Sequence, residues 1–263
     1  MIFTFYSFKG GVGRSMALAN VAELLLRRGL NVLMVDFDLE APGLERFFET
    51  RATTTPYEQI LRSRGVIDFL VSYKNLQEIG GQLARSRSDP EPLSDTDPKQ
   101  EASDAAPKQE EQQEDTETPL VIEPLQNFII PIRSSENGGE LWLMPAGRRD
   151  ENEYSLYANR VRGFDWNDFY INWQGGEFFD RFVEEVEKFD VTLIDSRTGI
   201  AEMSGVCTHH LADAVIMFVA PNQQNLDGTK KNCGKPVKSE CGRFSTVGPP
   251  RKSIAIARDP EPN

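Results

Sequence analysis

Three cysteines and two histidines in 263 residues leave little material for disulfide or metal chemistry. Cys207, Cys233 and Cys241 are an odd number in a long chain and do not read as a disulfide framework. A reducing cytoplasm is the expected setting. Cys207, His209 and His210 lie close together, but their spacing to the other cysteines matches none of the usual zinc pairs. No CxxC, GxSxG or HExxH string occurs. No apolar run approaches the length that spans a bilayer. The start lacks a basic region and a small-residue cleavage site, so it reads as a strand and not as a leader.

Positive charge is also short. The formal net charge is −12, which does not favour general attraction to nucleic acid. The acid is concentrated. Residues 89–123 hold twelve carboxylates and two lysines, and so carry −10 of the total. The rest of the chain is nearly neutral. Residues 84–119 contain no aromatic residue and are rich in Ser, Asp, Pro, Glu, Gln and Lys. Such a stretch buries too little apolar surface to offset its ordering entropy, and it reads as a disordered acidic insertion.

What the chain has is a strong start. An apolar run over 2–8 feeds into Lys9-Gly10-Gly11-Val12-Gly13-Arg14-Ser15, and a helical pattern follows over 15–28. Strand, glycine loop and helix form the context of a phosphate-binding loop. Glycines permit turns that a Cβ forbids and leave amide N–H groups bare. Those amides and the following helix N-terminus make an anion site. Ser15 is the first hydroxyl after the loop, placed to ligate magnesium. The common GxxxxGK[ST] pattern is not met, because Phe8 replaces its first glycine and Arg14 its lysine. The loop instead resembles the deviant Walker A motif, KGGxGK[ST], of the ParA/MinD ATPases, and more narrowly a KGGVGR variant branch of that family.

Helix 15–28 presents Leu18, Val21, Ala22 and Leu25 at helical spacing and stops at Gly29. The apolar run 32–35 suits a strand buried on both faces and ends in Asp36-Phe37-Asp38. Ligands in open α/β sheets sit beyond such strand ends. Asp36 reads equally as a functional carboxylate and as a cap for the next turn. Val66, Ile67, Phe69, Leu70 and Val71 predict a helix lying on the sheet. Residues 140–147 predict a strand and turn, and 154–169 an aromatic segment buried against the sheet. Residues 177–189 predict an amphipathic helix with Phe178, Phe182, Val186 and Phe189 on one face. An apolar strand ending at Asp195 follows, and another over 214–219. Residues 230–263, with eight basic and three acidic side chains, read as an irregular basic tail.

The resemblance extends to the DxD of 36–38, to Leu141–Gly147 and to the Walker B-like Asp195-Ser196-Arg197-Thr198-Gly199. It implies an α/β fold with a mostly parallel sheet flanked by helices, over residues 1–229. The C-terminal part then reads as incomplete. It further implies Mg-ATP binding and slow hydrolysis in a nucleotide-dependent dimer. Gly10, Gly11, Val12, Gly13, Arg14 and Ser15 would hold phosphate. Ser15 and, through water, Asp195 would hold Mg2+. Asp38 would position the attacking water, and Lys9 would reach the phosphates of a second copy. Gly199 would be the mobile glycine of a switch, while Arg197 reads as a phosphate contact or as the partner of an acid. The expected partners are ATP, a second copy and a further protein of unspecified kind. DNA binding gains no support from the near-neutral core. A degenerate or truncated nucleotide-binding scaffold that works through protein partners without hydrolysis is the alternative, favoured by Arg14 and by the missing C-terminal region.

Overall fold

The computed structural model describes residues 1–48, 53–88, 122–199, 202–219 and 252–257. The apolar opening run becomes β1 (Ile2–Ser7), and the glycine loop leads into α1 (Arg14–Arg27). The second apolar run becomes β2 (Val32–Asp36), buried along its whole length. A 3₁₀ turn (Leu44–Phe48) and two helices, α2 (Tyr57–Arg62) and α3 (Val66–Ser88), come next. Then follow β3 (Ile130–Ser134), β4 (Glu140–Met144), α4 (Tyr154–Gly163), α5 (Trp166–Asn172) and α6 (Gly175–Val186). The last described elements are β5 (Val191–Asp195), α7 (Glu202–Gly205), a π-helical turn (Val206–Leu211), β6 (Ala214–Val219) and β7 (Lys252–Ala257).

The strands form one seven-stranded sheet in the order β3-β4-β2-β5-β1-β6-β7. Every neighbouring pair is parallel except β3 and β4. β1 thus lies inside the sheet, between β5 and β6. The register sets Asp195 level with Phe5 on one side and Asp36 on the other. Three strands therefore end together where the glycine loop leaves β1.

Alternation along β2 divides the core in two. Val32 and Met34 join Phe5, Leu18, Ala22 and Leu26 on the α1 face. Leu33 and Val35 join Phe69, Phe128, Phe178, Phe179 and Phe182 on the other. There the rings of Phe69 and Phe128 lie 4.6 Å apart and those of Phe69 and Phe178 4.8 Å apart. Each fully buried side chain of this kind contributes about 1.5–3 kcal/mol of transfer free energy. Phe178, Phe182, Val186 and Phe189 are all buried, as their spacing predicts.

Some expectations shift. α1 buries Leu18, Ala19, Ala22 and Leu26, while Val21 and Leu25 are only partly covered. The helix is rotated so that Glu23 also turns inward, where it meets Arg133 at 3.1 Å. β3 is an edge strand, which is where a strand containing Pro131 is tolerated. The segment 154–169 splits into two helices, with Tyr157 and Trp166 buried but Tyr154 exposed. α3 continues to Ser88, so 84–88 are helical; the remainder of the acidic insertion lies outside the described residues. Within 230–263, read as irregular, Lys252–Ala257 pairs in parallel with β6, its alternating isoleucines matching strand periodicity. The rest of that segment lies outside the described residues.

Candidate phosphate-binding site

The loop between β1 and α1 has the backbone its glycines permit. Gly11 and Gly13 adopt left-handed φ values of 79° and 78°. Gly13 is the N-cap of α1 and offers no side chain to its first amides. Those amides lack intrahelical acceptors by construction, and a helix start of this kind attracts an anion. A Cβ built at Gly10 or Gly11 meets no atom within 4 Å, so the loop borders open space.

Arg14, the first residue of α1, turns inward. Its Nε donates to Asp195 Oδ1 at 2.5 Å and its Nη2 to Asp38 Oδ2 at 2.9 Å. The side chain is 6% exposed, and both carboxylates are buried with it. Burial works against its charge, but Asp195 and Asp38 outweigh burial and raise its pKa. Nη1, also buried, has no hydrogen-bond partner among the described residues. Burial lifts Asp195 above the usual carboxylate range, while Arg14 and a hydrogen bond from Ser15 pull it back. A guanidinium at 2.5 Å keeps the pair ionic.

Asp36 behaves differently from Asp38. It is fully buried and accepts from the backbone N–H groups of Gly43 at 3.0 Å and Leu44 at 3.1 Å. Burial, then the neighbouring Asp195, pushes its pKa up to about 7. It therefore ties down the loop that carries Asp38. A second brace holds the same loop: Arg149, from the turn after β4, grips Glu45, and Tyr157 donates to the Leu39 carbonyl at 2.6 Å.

Arg197 pairs with Glu40, joining the loops after β5 and β2. Gly199 takes a left-handed φ of 80° and is stitched to β1, its N–H on the Ser7 carbonyl at 3.2 Å and its carbonyl accepting from Tyr6 at 3.1 Å. His210 contacts Asp180 and Tyr170, His209 contacts Thr208, and buried Cys207 hydrogen-bonds with Ser196. Among the described residues no group of three or more His, Cys, Asp or Glu side chains is arranged to hold a metal. Nor is any helix there long and apolar enough to cross a membrane.

The model of the CobQ/CobB/MinD/ParA nucleotide-binding domain matches residues 3–242. The chain belongs to this family. The ParA/MinD-type fold agrees with that membership. The structure of pNOB8 ParA bound to nonspecific DNA superposes with a TM-score of 0.53 at 12% identity, over 97% of this chain and 65% of that one. A ParA family ATPase from Chlorobium tepidum TLS gives 0.48 at 16% identity, over 97% and 72%. The septum site-determining protein MinD complexed with Mg-ADP, from Pyrococcus horikoshii OT3, gives 0.45 at 16%, over 88% and 63%. The chain thus spans under two thirds of the length of two of these three. None of the curated proteins compared with it matches.

For a member of this family the donors fit the expected ligands. Open space over Gly10 and Gly11 and the orphaned Nη1 of Arg14 suit a phosphate. The hard oxygens of Ser15, Asp38 and Asp195 suit magnesium. The structure brings Arg14, Ser15, Asp38 and Asp195 together and leaves Lys9 exposed at the front of the loop. Sequence reasoning missed Glu45, Arg149 and Tyr157. Their types and neighbours carry no motif; only a buried Glu-Arg match across the fold marks them.

Proposed function

We propose that this protein binds Mg-ATP in the β1–α1 loop and uses it as a dimerisation switch with slow hydrolysis. The observation that carries this reading is the convergence of a bare-amide loop with two buried carboxylates, Asp38 and Asp195, at three parallel strand ends. The amides of 10–15 would hold the phosphates, and Ser15 with Asp195 would hold the metal. Bound magnesium would supply charge neutralisation between phosphate oxygens. Asp38 would accept a hydrogen bond from the attacking water and orient it. Asp36 is assigned a positioning role, because its carboxylate is spent on the backbone of 38–44. Catalysis of this type is mostly placement and charge stabilisation.

A second reading, a nucleotide-binding scaffold without turnover, has one specific observation in its favour: Arg14 already occupies both carboxylates. Titration with a fluorescent ATP analogue, with and without Mg2+, tests the shared part. Magnesium-dependent binding is expected. Absence of binding by folded protein overturns both readings. Turnover by the parent chain that Asp38→Ala abolishes then selects the switch; binding without turnover selects the scaffold.

A further inference from the structure

The two carboxylates assigned to the metal and the water are not waiting for a cation, since Arg14 bridges them. We infer that Arg14 is an internal counterion that keeps a free divalent cation out of the site until a polyphosphate draws the guanidinium away. The inference rests on the proposed reading of Asp38, Asp195 and Ser15 as the metal side of a nucleotide site.

The geometry makes the exclusion specific. Nε and Nη2 are separate donors on one rigid plane, and each is spent on a different carboxylate, at 2.5 and 2.9 Å. A magnesium ion entering alone must break two charge-assisted hydrogen bonds and leave a guanidinium buried without partners. It must also shed tightly held water, which it does reluctantly. Nothing in the resting site repays those costs. A polyphosphate changes the balance, because it offers Arg14 new acceptors and brings its own oxygens to the metal. Nη1, buried and without a hydrogen-bond partner among the described residues, is the edge of the guanidinium not committed to the carboxylates, and a phosphate that draws the side chain out would satisfy it. A lysine at this position has one ammonium and no fixed fork, so it holds the two carboxylates less well. Nucleotide and metal therefore enter this site as strongly coupled ligands, each favouring the other.

The test uses the full chain without nucleotide, with Mn2+ as the magnesium probe followed by electron paramagnetic resonance. The parent chain is expected to show no saturable Mn2+ site. Arg14→Gln is expected to bind Mn2+ at least about tenfold tighter, the loss of one charge-assisted hydrogen bond being enough for that factor. Adding Asp38→Asn and Asp195→Asn to Arg14→Gln is expected to remove the gain, and Arg14→Lys to fall between. Equal binding by parent and Arg14→Gln overturns the inference, as does a gain that survives loss of both carboxylates. Thermal melts of the same proteins cover the case of a poorly folded variant. Mn2+ should raise the melting temperature of Arg14→Gln and leave the parent unchanged, and a flat response in both overturns the inference. Failure of the nucleotide reading itself is seen separately, as a parent chain that takes up no ATP analogue.

Discussion

Arg149 and Glu45 lie 104 residues apart in the chain and meet as a forked pair, with Nη2 on Oε2 at 2.9 Å and Nη1 on Oε1 at 3.3 Å. Their side chains are 6% and 2% exposed. The pair locks the turn after β4 to the segment just past the Asp38 loop. A buried ion pair adds little net stability, since desolvation cancels much of the attraction, but breaking one is costly. Arg149→Met should therefore destabilise by about 3–5 kcal/mol, because Glu45 is left charged in the interior. Adding Glu45→Leu should recover most of the loss. Urea unfolding midpoints at unchanged slope provide the measurement. A double variant no better than the single one would mean the pair itself, and not the stranded charge, holds the loop.

Two glycines separate ligand space from packing space. A Cβ at Gly65 would stand 1.8 Å from the Pro145 carbonyl oxygen, the acceptor that caps the Val66 N–H of α3. Gly65→Ala should cost about 3 kcal/mol, at the upper end of overpacking, since backbone must move. A Cβ at Gly10 meets nothing within 4 Å, and its backbone lies outside the positive-φ region. Gly10→Ala should leave stability within about 0.5 kcal/mol. If the open space over the loop belongs to phosphate, the same methyl should weaken binding of the ATP analogue by tenfold or more, an effect of about 1.4 kcal/mol. Unchanged binding would place the phosphate elsewhere.

The glycine loop and the DxD could be read from sequence because each is local: a few residues of fixed type between apolar runs. β2 could be read because burial on both faces removes alternation and leaves an unbroken apolar run over 32–35. The direction of Arg14 could not. Its partner Asp195 is 181 residues away, and only the strand register brings them level. Asp36 and Asp38 look alike in the sequence, yet one accepts loop amides and the other accepts Arg14, a difference made by the turn at 41–44. The hairpin edge β3 was hidden by Pro131, a residue that argues against a strand unless the strand is an edge. The rotation of α1 was hidden because Glu23 reads as a solvent position, while Arg133 across the fold makes it an inner one.

The π-helical turn carries a pH-dependent contribution. His209 packs there against Thr208, Nδ1 to Oγ1 at 2.8 Å, while the Thr208 hydroxyl donates its one proton to the Ser204 carbonyl at 2.6 Å. That leaves His209 Nδ1 as the donor in their contact. Burial lowers the pKa of His209 below 6.5, with the Gly205 carbonyl working the other way. The unfolded chain then binds more protons than the folded one just below pH 6.5, so stability is fully present above that pH and falls as pH drops through the folded value. His209→Asn should flatten the difference between unfolding free energies at pH 7 and pH 5.5, which denaturation at the two values reads directly. An unchanged difference would assign the slope to carboxylates.

Lys9 carries the dimer half of the proposal. It is exposed and precedes Gly10, so it stands before the turn that would wrap the phosphates, whereas Arg14 stands behind that turn. The resemblance of the loop to the deviant Walker A motif implies that this lysine reaches phosphates held by another copy of the chain. Lys9→Ala should leave the thermal melt of the monomer nearly unchanged, as for most surface substitutions, within about 0.5 kcal/mol. It should also leave binding of the ATP analogue measurable, because the loop amides remain. What should vanish is the ATP-driven increase in mass on sedimentation. The order of these effects matters. A variant that loses nucleotide first places Lys9 in its own loop, and a variant that dimerises normally with Mg-ATP removes the cross-subunit role altogether.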